Sequence, residues 1–167
     1  MSIIKENFDK LIAEKELPAE YLEIEGGHHL YRFRFGVTPV RDLIVEVIVQ
    51  NSDLPYCDAQ VIYRHVHMLK DYNQRGQALE LINELNETRT GYFALYLAGD
   101  GEIFQRNLMR ASVDPQPLYE TIVYGSAIAK DMVEALTAGL GPSAYVREDG
   151  VQVEEMTVEM MEKTAEK

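Results

Sequence analysis

The chain has 167 residues, 46% of them apolar and 26% charged, with 28 acidic against 16 basic residues and a formal net charge of -12. That length suits one domain with its own core, and the negative charge disfavours binding to a phosphate backbone or an anionic membrane surface. A lone cysteine, Cys57, cannot form an intrachain disulfide. Charges break every apolar run in MSIIKENFDKLIAEKEL and no later stretch has membrane-spanning length, which points to a cytoplasmic protein.

In chain order, Ile4, Phe8, Leu11 and Ile12 share one face of a first helix that must dock on a sheet or a second subunit. Glu25-Gly26-Gly27-His28 separates two alternating runs. A Gly-Gly turn there pairs Ile24 with His29 and Leu22 with Tyr31, placing Leu22, Ile24, Tyr31, Phe33 and Phe35 on one face and Glu23, Arg32 and Arg34 on the other. LIVEVIVQ at 43–50 is largely apolar on both alternating sets, with Glu46 the main exception, as in a central strand, and AQVIYRHVHML at 59–69 reads as a further strand.

ALELINEL then predicts a helix with Leu79, Ile82, Leu85 and Asn86 along one face. It leads into a hairpin around Asp100-Gly101. If those two residues are the turn, Leu97 opposes Phe104, Leu95 opposes Arg106 and Phe93 opposes Leu108; Tyr92, Ala94, Tyr96, Gln105 and Asn107 take the other face. Asp114-Pro115-Gln116-Pro117 marks the start of a last helix, whose seam of Leu118, Ile122, Gly125, Ala129, Met132 and Leu136 runs until Gly139 and Gly141. The reading is α+β: a mainly antiparallel twisted sheet flanked by helices in the order α-β-β-β-β-α-β-β-α. Residues 1–145 form one domain, and 146–167 form an acidic tail carrying Met156, Met160 and Met161.

The run INELN at 82–86, followed by an alternating strand, an acidic Gly turn and a second strand, resembles the YbjN-like family of bacterial proteins. That family is similar in fold to the class I chaperones of type III secretion systems, which are small, acidic and usually dimeric. Asn83 and Asn86 match the paired asparagines of its motif, and Asp100-Gly101 matches its turn. The resemblance implies a fold and a style of function, and no catalytic residue.

Chemistry-bearing patterns are sparse. His65-Val66-His67 would aim two imidazoles the same way from a strand, but a metal centre needs about three protein ligands and none is supplied locally. Cys57 has no base beside it in sequence. Asn83 and Asn86 suit the tying down of backbone groups at a helix end. Tyr92 and Tyr96, with Gln105 and the neighbouring Arg32 and Arg34, suit a recognition face of large amphipathic contacts. The expectation is a non-enzymatic, cofactor-free protein-binding homodimer, a chaperone or regulatory adaptor holding a segment of another protein, with no nucleic-acid or membrane partner. The competing reading is a metal-binding module or enzyme using His65 and His67.

Overall fold

The computed structural model describes residues 2–147. The elements run α1 (Ile3–Glu14), β1 (Glu20–Ile24), β2 (His28–Thr38), β3 (Arg41–Val49), β4 (Tyr56–Met68), α2 (Arg75–Thr88), β5 (Ala94–Leu97), β6 (Glu102–Ser112) and α3 (Gln116–Leu140). This is the α+β order expected. The six strands form one antiparallel sheet in the order β1-β2-β3-β4-β6-β5, so the second hairpin joins through β6 and leaves β5 on the edge. The methionines of the tail lie outside the described residues. Among those described, no helix is long and apolar enough to cross a membrane.

All three helices pack on one face. The register sets Phe33, Val45, Tyr63, Gln105 and Leu95 side by side across five strands, and this row and its neighbours form the core. α1 docks at the β2 side, where Phe8 meets Tyr31 edge-on with centroids 4.9 Å apart. α3 lies over β4 and β6: the Tyr63 hydroxyl donates to the Ile122 carbonyl, and Gln105 Nε2 donates to that of Gly125 at 3.0 Å. α2 covers the β5 side with Ile82 and Leu85. A single face accommodates three helices because the short ones flank the long one. The seam expected on α3 is buried against the sheet, joined by Ile128 and Leu140.

Both hairpins differ from the expected register by one residue, for the same reason. Each closes through a three-residue loop rather than a two-residue one, with glycine at positive φ. At the first, Glu25–Gly27 forms a 3-10 turn with Gly26 at φ 82° and Gly27 at 76°, and Ile24 pairs with His28 and Leu22 with Leu30. At the second, the Gly101 N–H donates to the Ala98 carbonyl, the Ala98 N–H donates to Glu102, and Gly101 sits at φ 96°. That is a type I turn followed by a glycine bulge, the usual three-residue solution. Leu97 therefore pairs with Ile103, Tyr96 with Phe104 and Leu95 with Gln105. Since a one-residue slip flips side chains to the opposite face, Leu22 and Ile24 part from Tyr31, Phe33 and Phe35. Phe104 and Leu108 likewise leave the core face while Gln105 and Asn107 enter it.

Helix α3 packs tightly on the layer below at Gly125. A Cβ there would lie 2.5 Å from the Phe93 ring and 2.7 Å from that of Tyr63, with both rings already locked edge-on against each other. Gly125→Ala should destabilise by about 1–3 kcal/mol, the range for overpacking a close-fitting core. Gly76→Ala, where a Cβ meets nothing within 4 Å, should not destabilise. Urea unfolding of the two variants checks this.

Candidate functional site

The helix-free face of the sheet is built from the residues that alternate with the core set. One row reads Leu22, Leu30, Ile48, Gln60 and Leu108, and the next reads Arg32, Glu46, Ile62, Arg106 and Ala94. Beyond them lie Arg34, Ile44 and Arg64, followed by Phe104 and Tyr96. Leu30, Ile44 and Ile62 are buried without a helix above them, whereas Leu22, Tyr96 and Leu108 are 39%, 37% and 63% exposed. The register intersperses the isoleucines with long arginines, whose aliphatic stems can shelter apolar surface while their heads stay polar. Toward one end the face dips into a groove of about 490 Å³ lined by His28, Ile48, Gln50, Gln60, Leu108 and Met109.

Polar groups on this face are fixed. Glu46 accepts from Arg32 Nη2 at 2.9 Å and from Arg64 Nε at 2.5 Å, and Arg64 Nη1 reaches Glu102 at 3.1 Å. The Glu46 side chain is only 9% exposed, and its two arginines supply the ion-pair partners that a buried carboxylate needs. Arg64 also lies over the Phe104 ring, Phe104 stacks on Tyr96 with planes 20° apart, and the Arg106 guanidinium sits 4.6 Å from the Tyr96 centroid. Two stacked aromatic rings are thus held between two guanidinium groups across β4, β6 and β5.

The five residues expected to form one recognition surface are divided. Arg32, Arg34 and Tyr96 are on the helix-free face, but β3, β4 and β6 lie between the β2 arginines and β5. Gln105 is fully buried under α3, a direct consequence of the shifted hairpin. Tyr92 precedes β5, is 77% exposed, and packs against Tyr124 of α3 with centroids 5.5 Å apart. Its carbonyl holds the Asn107 amide at 2.8 Å.

Of the paired asparagines, Asn83 is exposed, while Asn86 acts as a substitute strand. Its Nδ2 donates to the Leu95 carbonyl at 3.2 Å and its Oδ1 accepts from the Leu95 N–H at 2.7 Å. Helix α2 is thereby pinned to the outer edge of β5. Asp100 caps its own turn, accepting from the Glu102 N–H at 3.0 Å. Asn86→Ala should cost about 1–2 kcal/mol, two hydrogen bonds at their usual net value, and Asn83→Ala should cost under about 0.5 kcal/mol, like most surface changes. Denaturant midpoints of the two variants compare them directly.

The histidine pair lies in a strand irregularity. Tyr63 pairs with Gln105 but His67 with Ile103, so β4 bulges between them, and His65 has φ 66°, a conformation unusual for a residue with a side chain. Buried Arg41 makes good the interrupted ladder, donating from Nη2 to the carbonyls of His65 and Val66 at 2.5 and 3.3 Å; burial lowers its pKa to about 10. The His65 N–H donates to Glu102, whose carboxyl burial pushes up against the pull of Arg64. Tyr145 packs on the His65 ring at 4.7 Å, held there as Ser143 and Ala144 bond the backbone of Met68. His67 is buried, and among the described residues neither of its ring nitrogens has a hydrogen-bond partner. Among the described residues no group of three His, Cys, Asp or Glu side chains could hold a metal ion. Cys57 is buried, and desolvation raises its thiol pKa.

Burial lowers the pKa of both His65 and His67 from 6.5 to about 4. Above about pH 6.5 each is neutral whether folded or unfolded, and neither contributes a pH dependence. As the pH falls toward 4 the unfolded chain takes up protons that the folded one refuses, so stability falls through that window. His67→Leu should show a shallower loss of unfolding free energy between pH 7 and pH 5 than the wild type. Urea titrations at the two pH values give the comparison, and equal slopes would reject it.

Among known proteins, no family model matches this chain and no curated protein is significantly similar to it. Of the apolar residues on the helix-free face, Ile44 and Ile48 belong to the second apolar set of LIVEVIVQ, which also fits a strand covered on both sides, whereas a two-residue turn would put Leu108 opposite Phe93 on the core face.

Proposed function

We propose that this is a non-enzymatic, cytoplasmic protein-binding protein, a chaperone-like or regulatory adaptor that holds a segment of another protein on the helix-free face of its sheet. The observation that carries this reading is the row Leu22, Leu30, Ile48, Gln60, Leu108, apolar but for Gln60 and without a helix above it while all three helices pack on the opposite side. Apolar surface bordered by fixed polar groups is characteristic of interaction sites. The resemblance of 82–108 to the YbjN-like family supports the same style of function. The homodimer belongs to this reading too: Tyr92, Val123 and Tyr124 are exposed together on the helix side, and a twofold contact there leaves the binding face free.

Affinity capture with the wild type and with Leu108→Lys tests the reading. Leu108 is exposed enough that the substitution should change the unfolding free energy by less than about 1 kcal/mol. A protein held by the wild type and lost from Leu108→Lys is the expected outcome. A captured set indifferent to Leu108→Lys would overturn the assignment of this face.

A further inference from the structure

The sheet has two outer edges, and they are treated differently. At β5 the Asn86 side chain occupies both backbone groups of Leu95, and α2 packs beside the strand. At β1 no described side chain or backbone outside β2 hydrogen-bonds to Glu20–Ile24. Four of its five residues are exposed, Tyr21 and Leu22 by 41% and 39%. An edge of this kind presents unpaired N–H and C=O groups to any extended chain.

Proteins usually guard such an edge with lysine, proline or a bulge. β1 has none of these and is acidic instead: from 16 to 31 the chain carries Glu16, Glu20, Glu23 and Glu25 and neither lysine nor arginine. Of the cations beside it, Lys5 lies over the Tyr21 ring at 4.4 Å and is paired with Asp9 at 2.6 Å, and Arg32, opposite Glu20, is held by Glu46 at 2.9 Å. Two copies joined antiparallel through β1 would bring the glutamates of both strands together with no cation on either, and like charges across a strand pair repel. The edge is open in its backbone and closed by charge to its own kind.

Resting on the protein-binding reading above, we propose that β1 is a strand-addition site for an extended segment in which two apolar residues separate one lysine or arginine from the next, since Glu20 and Glu23 lie on opposite faces of the strand with Tyr21 and Leu22 between them. Main-chain hydrogen bonds to β1 supply the attachment. Leu22, at the border of the helix-free face, and Tyr21, on the opposite side, offer apolar contacts to successive residues of the added strand. Glu20 and Glu23 select its charge, so a bound segment can continue from the edge onto the apolar row that begins at Leu22.

The test uses the full chain with two capped peptides, three Lys-Val-Val repeats and three Glu-Val-Val repeats, read by fluorescence anisotropy and by amide hydrogen exchange. The lysine peptide should bind, slow exchange at the outward amides of Glu20–Ile24, and weaken as salt is raised. Binding should drop at least tenfold in Glu20→Lys/Glu23→Lys, which should instead prefer the glutamate peptide. No binding of the lysine peptide, equal binding by the wild type and the double variant, or protection elsewhere than β1 would overturn the site. So would protection of β1 that grows with protein concentration alone, the mark of a second copy as occupant. Should a captured partner still depend on Leu108 when β1 fails these tests, the broader reading survives and the edge assignment alone falls.

Discussion

Much of the molecule depends on the register of two hairpins, and the register depends on one extra residue in each turn. A side chain on a strand faces the opposite way from its neighbour, so the single glycine-accommodated residue at Gly27 and at Gly101 decides which set of β1 and β6 side chains meets the helices. In both hairpins the outcome sends large apolar residues outward: Leu22 and Ile24 from the first, Phe104 and Leu108 from the second. Two-residue turns would have gathered those residues on the core side and left Leu30, Ile44, Ile48 and Ile62 as the apolar part of the outer face. The longer turns extend that apolar surface onto β1 and β6.

The same register obliges the core to absorb polar groups. Gln105 and Asn107 come to lie under α3 and beside the β5 approach, and each is partly satisfied by a backbone carbonyl, of Gly125 and Tyr92 respectively. Tyr63 reaches up to the Ile122 carbonyl and to Ser126. These bonds run from sheet to helix backbone, and they require α3 to come closer than an ordinary side-chain layer permits. Gly125, with Phe93 and Tyr63 pressed against its Cα, is where that approach occurs. The polar seam and the small residue are two aspects of one docking geometry.

Sequence periodicity revealed the element order and nearly all of the helix-facing core, since Ile4, Phe8 and Ile12, the α3 seam and the β3 run carry strong and consistent patterns. It also located both turns. What it could not resolve was loop length: Asp100-Gly101 and Gly26-Gly27 fit two-residue and three-residue hairpins equally well, because glycine serves the positive φ of either. In β6, where Ile103, Gln105 and Asn107 alternate with Phe104, Arg106 and Leu108, composition does not say which set is inside. That ambiguity removed Gln105 from the expected surface, whereas Tyr92 parts from Tyr96 because it lies in the turn before β5. The β4 bulge left no sequence signal, since His65 adopts a conformation that glycine or asparagine would have advertised. The role of Asn86 was legible, as a side chain suited to tying down backbone groups, although the strand it holds was not.

Cross-strand nuclear Overhauser contacts test the register, and with it the composition of the helix-free face, most directly. Backbone contacts placing Leu22 opposite Leu30, and Tyr96 opposite Phe104, are the predicted result. Contacts placing Leu22 opposite Tyr31 and Leu97 opposite Phe104 would return the apolar residues to the core side and contradict the account.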